Sequence, residues 1–148
     1  MIIYMDACCY NRPMDDQSQD RIYIESETIL SILMKCEKGL LTLVGSDVLI
    51  YELNNTTDDI KKQKSLALLT GYESEHYSLT DEIKERANIL KQYGIKAYDS
   101  LHLATAEYAE AEYLLTVDDK LINLSGKTDT KVKVINPVKL IMEAIKDE

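Results

Sequence analysis

A chain of 148 residues is expected to form one domain, residues 1–148, with a hydrophobic core of its own. Its 45% hydrophobic and 29% charged residues are those of an ordinary globular protein, which sets aside disordered and fibrous classes. The 26 Asp and Glu against 17 Lys and Arg give a net charge of −9, which argues against a broad basic face for nucleic acid but not against clustered carboxylates offset by divalent cations.

The run Met1–Met5 (MIIYM) is continuously apolar and ends at Asp6, as expected of a strand buried on both faces. The stretch ACCYNRPMDDQ that follows, broken by Pro13, reads as a loop. From about Ser18 a helical period sets in, with Ile22, Ile29, Leu30, Leu33 and Met34 on one face and Gly39 as the stop. Leu40–Val44 reads as a second strand. Ser46 looks like the N-cap of a short helix through DVLIYELNN, and Asp58 and Asp59 open another. His76–Leu79 is a short candidate strand, and Thr80 caps the helix DEIKERANILKQYG. The segment AYDSLHLATAEYAEA is an Ala- and Leu-rich helix. Tyr113–Val117 is a buried strand ended by Asp118, DDKLINLSG a short helix closed by Gly126, and Val132–Ile135 the last strand. Pro137 suits the first turn of a C-terminal helix, PVKLIMEAIKDE. Five strands separated by helices build an α/β, three-layer α/β/α sandwich around a mostly parallel sheet, whose ligands sit outside the carboxyl ends of the strands.

Cys8, Cys9 and Cys36 follow no disulfide or zinc spacing, so a reduced, cytoplasmic setting is expected. No run of about 18 apolar residues is present, so no membrane span is expected. The N-terminal run carries Asp6 and lacks a basic leader region, so it reads as a strand rather than a signal peptide.

Four acids stand where burial would make an unpaired charge costly: Asp6 and Asp118 at strand ends, Asp99 in the first turn of an apolar helix, and Glu52 among apolar residues. Convergence on Mg²⁺ or Mn²⁺ explains them economically, because these ions take oxygen ligands. Phosphodiester hydrolysis is the chemistry that needs such a cluster. His76 and His102 have no Ser or Cys nucleophile in context, and the chain carries no GxxxxGK[ST] or GxGxxG loop.

The order and context of these residues resemble the PIN-domain nucleases. The matching segments are IIYMDACCYN with Asp6, SDVLIYELNN with Glu52, AYDSLHLATA with Asp99, and YLLTVDDKL with Thr116 and Asp118. DSLHLATA and LLTVDDKL are the most specific, and the likeness spans essentially the whole chain. CCYNRPMDDQSQ is similar to a bacterial subgroup with a DxCCxNRPxDDQ opening, and differs from the Asp-Thr/Ser-Asn start of toxin-type members. The resemblance implies a 3-2-1-4-5 strand order, Mg²⁺ or Mn²⁺ held by Asp6, Asp99 and Asp118 with Glu52 in the catalytic set, and cleavage of single-stranded RNA. Many members pair with an antitoxin protein and many dimerise, so an antitoxin and a second copy are the partners implied.

Plainer readings stand beside these. Asp after a strand is often a turn former or helix cap. Glu25 and Glu27 are alternatives to Glu52, although both read as parts of a solvated helix face. Thr116 either orients the site or fills a β position, and Asn11 and Arg12 either meet the scissile phosphate or pin the loop through Asp15 or Asp16. His102 reads as a satisfied core histidine, His76 as exposed, and the Lys61, Lys62, Lys64 and Lys84, Arg86, Lys91, Lys96 groups as solvated faces. Functional rivals are a PIN-like scaffold that binds without cutting, a receiver domain, and a DxD phosphatase, whose second acid is missing because position 8 is Cys.

Overall fold

Strand β1 (Ile2–Met5) lies at the centre of the sheet, and its Ile3, Tyr4 and Met5 have no exposed surface. That is why the run is apolar without alternation: both faces are covered by helices. The computed structural model describes residues 1–144. The other strands are β2 (Thr42–Ser46), β3 (Glu75–Tyr77), β4 (Tyr113–Leu115) and β5 (Lys133–Ile135). They pair in the order β3-β2-β1-β4-β5, and every pairing is parallel. Ile3 stands opposite Leu43 in β2 and Tyr4 opposite Leu114 in β4.

The connecting helices make the outer layers of an α/β/α sandwich: α1 (Ala7–Asn11), α2 (Asp20–Glu37), α3 (Asp47–Asn54), α4 (Asp59–Tyr72), α5 (Asp81–Lys91), α6 (Ala97–Tyr108), α7 (Asp119–Ser125) and α8 (Pro137–Glu143). From β1 the chain moves outward to β2 and β3. It then returns to β4 on the other side of β1 and continues to β5. The direction of winding therefore reverses between β1 and β4, and their carboxyl ends open onto a switch-point crevice. Asp6 follows β1 directly, and Thr116 follows β4 directly.

Several elements differ from the sequence reading. The segment after Asp6 is helical rather than a loop. The Asp6 carboxylate caps α1 by accepting the Ala7 N–H at 2.7 Å, and Cys9 and Tyr10 are buried beneath it. Pro13 then turns the chain into a single 3₁₀ turn, Arg12–Met14. Strand β2 starts and ends two residues later than expected. The positive φ of Gly39 (78°) and the Leu40 N–H bond to the Lys35 carbonyl close α2, which leaves Leu40 64% exposed. Pairing with β3 then carries β2 through Gly45 and Ser46. Strand β3 starts and ends earlier than the expected His76–Leu79, and β4 is shorter than Tyr113–Val117.

The buried face of α2 is also rotated from the expected one. It comprises Glu25, Ser26, Ile29, Ile32, Leu33 and Cys36, while Leu30 and Met34 are exposed. Polar partners draw Glu25 and Ser26 inward. Arg12, Arg21 and Asn136 surround the Glu25 carboxylate, and the Ser26 hydroxyl donates to the Arg12 carbonyl at 2.9 Å. The expected C-terminal helix is present through Glu143, and its residues 145–148 lie outside the described residues. Among the described residues no helix is long and apolar enough to cross a membrane.

Candidate active site

Asp6 is 4% exposed, and its two oxygens have separate duties. Oδ1 takes the Ala7 N–H, while Oδ2 accepts the Thr116 hydroxyl at 2.9 Å and faces the Cys8 sulfur at 3.4 Å. Thr116, fully buried, also accepts the Asp118 N–H on the same hydroxyl oxygen at 3.1 Å. One side chain at the end of β4 thus joins the acid after β1 to the backbone of the acid two residues on. A β-branched residue suits the strand end, and its hydroxyl supplies the link.

Asp118 is the N-cap of α7, with Oδ1 accepting the Lys120 N–H at 2.9 Å and the Leu121 N–H at 3.4 Å. Its capping role is the plain reading of an Asp after a strand, and it coexists with a place in the crevice. Asp99 lies in the first turn of α6, and together with Asp118 it lines a small crevice whose rim includes Lys96 and Lys120. The Asp99 carboxyl is pushed up to about 7, first by burial and then by the negative charge of Asp6, with Glu52 and Asp118 adding to it and His102 opposing it. The other three acids anticipated from sequence, Asp6, Glu52 and Asp118, therefore all act electrostatically on Asp99.

Glu52 projects from α3, whose start is fixed by the Ser46 hydroxyl accepting the Leu49 N–H at 3.1 Å. Its carboxylate, 32% exposed, meets His102 Nε2 at 2.6 Å, and the same nitrogen lies 3.7 Å from Asp6 Oδ1. One ligand atom each from Asp6, Glu52 and His102 lie within 4.8 Å of one another. The donor set is rich in carboxylate oxygen and carries more negative charge than its protein partners neutralise, which fits a hard divalent cation.

His102 is a fully buried histidine, as anticipated, but its partners belong to this centre. Its place was readable only as a position three residues beyond Asp99 on the same helix. Tyr98 stacks beside it, with ring centroids 6.5 Å apart and planes at 24°.

Asn11 and Arg12 are not drawn into the cluster. Asn11 Oδ1 accepts the Ser65 hydroxyl at 2.6 Å, which ties α1 to α4. Arg12 reaches Asp15 at 3.2 Å and Glu25 at 3.3 Å, which pins the 3₁₀ turn to α2. Glu25 is not on a solvated face but is 2% exposed and enclosed by these cations, whereas Glu27 is exposed. Neither is grouped with Asp6 and His102 as Glu52 is. His76 is on the surface, held between Glu73 at 2.9 Å and Asp47 at 2.7 Å.

The fold is shared with solved structures of low sequence identity. A toxin–antitoxin complex from Klebsiella pneumoniae contains a chain 21% identical, matched over 91% of this chain and 97% of that one with a TM-score of 0.57. VapBC-1 from nontypeable Haemophilus influenzae contains one 19% identical, matched over 93% and 99% with a TM-score of 0.56. No curated protein sequence matches the chain. The profile of the family described as PIN domain matches residues 12–127, a span that holds Glu52, Asp99, Thr116 and Asp118 and begins after Asp6. With that match over most of its length, and the strand order to go with it, the chain belongs to the PIN-domain family.

Proposed function

We propose that the protein is a divalent-metal-dependent endoribonuclease that hydrolyses phosphodiester bonds of single-stranded RNA. The observation that carries this reading is the convergence of Asp6, Glu52 and His102, whose ligand atoms lie within 4.8 Å of one another, with Asp99 near enough that Asp6, Glu52 and Asp118 add to the burial that raises its carboxyl to about 7. Such crowding is costly unless a cation enters. Asp6, Asp99 and Asp118 would hold Mg²⁺ or Mn²⁺, and Glu52 would complete the set or orient the attacking water. When bound, the ion would supply a water of lowered pKa and positive charge to offset that of a phosphate. Thr116 keeps Asp6 Oδ2 aligned by donating to it. Lys96 and Lys120, which line the same small crevice as Asp99 and Asp118, offer a local attraction for phosphates that the net charge of −9 does not suggest. Three free thiols accord with a reducing compartment such as the cytoplasm.

The same reading extends to regulation by an antitoxin. Two neighbours in fold come from toxin–antitoxin or VapBC structures. Tyr23, Leu30 and Met34 fall on one exposed stripe of α2, at a spacing that a helix-gripping partner would cover.

The test is cleavage of a mixed single-stranded RNA pool with Mn²⁺, with EDTA, and with Asp6→Asn. The expected result is cutting that EDTA stops and Asp6→Asn lowers by at least about 100-fold, with the variant folded and no less stable, because a crowded charge has gone. Full activity in Asp6→Asn would remove the assignment. RNA binding without turnover in Mn²⁺ would favour a PIN-like scaffold that binds RNA or a protein partner.

A further inference from the structure

Four buried or half-buried side chains run in line from a helix cap to the candidate centre. Ser46, Tyr4 and His102 have no exposed surface. The Tyr4 hydroxyl lies 2.7 Å from Ser46 Oγ and 2.6 Å from His102 Nδ1, and His102 Nε2 lies 2.6 Å from Glu52 Oε1. The chain joins β2, β1, α6 and α3, and Tyr4 and His102 are 98 residues apart in sequence.

Counting protons gives this chain a direction. Ser46 Oγ already accepts the Leu49 N–H, and its own proton has the Tyr4 oxygen as acceptor. Tyr4 then spends its single proton on His102 Nδ1. A neutral imidazole with Nδ1 accepting carries its proton on Nε2, where the Glu52 carboxylate receives it. Every donor is used once. The reverse order would run from Nδ1–H to Tyr4 and from Tyr4 to Ser46. It would leave the Ser46 proton without an acceptor among the described residues and turn the bare Nε2 lone pair toward a carboxylate.

We infer that His102 is a positioning residue that donates its Nε2–H to Glu52 and holds that carboxylate beside Asp6, with Ser46 and Tyr4 setting its tautomer. The inference rests on the proposed role of Glu52 in the metal and water site, but the tautomer can be read without it. It also separates His102 from the ligands. An imidazole whose Nε2 carries a proton does not coordinate through that nitrogen, although it stands within 4.8 Å of the Asp6 and Glu52 oxygens. Outer partners that orient a ligating carboxylate are worth about 10–100-fold in affinity or activity when removed.

The test has three readings on the full chain. Nuclear magnetic resonance of the metal-free, ¹⁵N-labelled protein should show His102 protonated at Nε2 and unprotonated at Nδ1, and Tyr4→Phe should loosen that preference. The opposite tautomer, or a ring protonated on both nitrogens, would overturn the inference, because Nδ1 would then donate to Tyr4. Pulsed electron paramagnetic resonance of the Mn²⁺-loaded protein should show no coupling to a histidine nitrogen. Such coupling, lost in His102→Gln, would make His102 a ligand and overturn the inference as well. His102→Leu should lower kcat about 10–100-fold with KM for RNA little changed, and His102→Gln, which keeps a side-chain N–H, should recover part of the loss. Equal kcat in wild type and His102→Leu would overturn it. If wild type cuts no RNA, the nuclease reading fails while the tautomer and spin-coupling results still decide the role of His102.

Discussion

Thr116 donates its hydroxyl to Asp6 across 2.9 Å, although 110 residues separate them in sequence. The bond crosses the switch point between β1 and β4, and the same oxygen receives the Asp118 N–H. A strand-end threonine therefore sets the orientation of one acid and the backbone of another at once. Thr116→Val keeps the shape and removes both bonds. We expect a loss of about 1–3 kcal/mol in stability, from a hydrogen bond to a buried charge, measured by urea unfolding. RNA cleavage should fall about 10–100-fold, as for other groups that orient a metal-binding carboxylate. Unchanged activity would mean that Thr116 only fills its β position.

Asp99 gives the metal-free protein a pH dependence of definite sign. Its carboxyl is raised to about 7 in the folded state, by burial first and then by Asp6, against an ordinary value of 3.8. Between those values the folded chain binds more protons than the unfolded one. Its stabilising contribution is thus complete below pH 3.8 and is lost as pH rises through 7. Asp99→Asn should flatten that slope and raise stability near pH 8 by about 1–2 kcal/mol, with solvent screening of the half-buried group included. Thermal melts in EDTA from pH 5 to 8 would measure it, and a steeper slope in the variant would contradict it. In wild type, Mn²⁺ binding should release protons near neutral pH, which calorimetry in buffers of different ionisation enthalpy detects.

Glu25 tests the difference between a structural and a catalytic acid. It is 2% exposed, with Arg12 at 3.3 Å, Arg21 at 3.0 Å and Asn136 Nδ2 at 2.6 Å. Glu25→Ala leaves Arg12 with Asp15 as its remaining acidic partner and removes the acceptor of Asn136 and Arg21, and should cost about 1–3 kcal/mol in chemical unfolding. The cleavage rate of the fraction that remains folded should be close to wild type. Loss of cleavage without loss of stability would return Glu25 to the candidate catalytic set.

His76 bridges Asp47 and Glu73, and although burial opposes its protonation, hydrogen bonds and charge from these two acids raise its pKa. A group raised on folding contributes stability that is full below its unfolded value of 6.5 and fades as pH rises through the folded value. His76→Gln should remove that component and lower stability at pH 5.5 more than at pH 8.5, by a few tenths to about 1 kcal/mol for a surface pair. Equal losses at both pH values would show that the ring acts without its charge.

Much of the architecture is legible along the chain because its causes are local. Continuous apolar runs such as IIYM mark strands covered on both faces, Ser46 and Thr80 announce helix starts, and Asp6 and Asp118 stand at or just past strand ends. The opening helix α1 was not legible. A stretch of two cysteines, an asparagine and a proline has weak helical preference, and it is helical because Asp6 caps it and the core takes Cys9 and Tyr10. The rotated face of α2 escaped for a related reason. Hydrophobic periodicity counts apolar residues, whereas Glu25 and Ser26 are buried by partners from the 3₁₀ turn and the cap of α8.

What the sequence by itself determined was the strand–helix alternation, and it nominated four acids as a candidate site. Only the tertiary structure decided that His102 faces Glu52 rather than a generic core, that Arg12 serves Glu25, and that Thr116 spans two strands. The physical reason is range. Capping, strand runs and helix stops act within a few residues, but hydrogen bonds and charge between side chains follow distance in space. The parallel sheet sets those distances by placing β1 against β4, which lie more than a hundred residues apart.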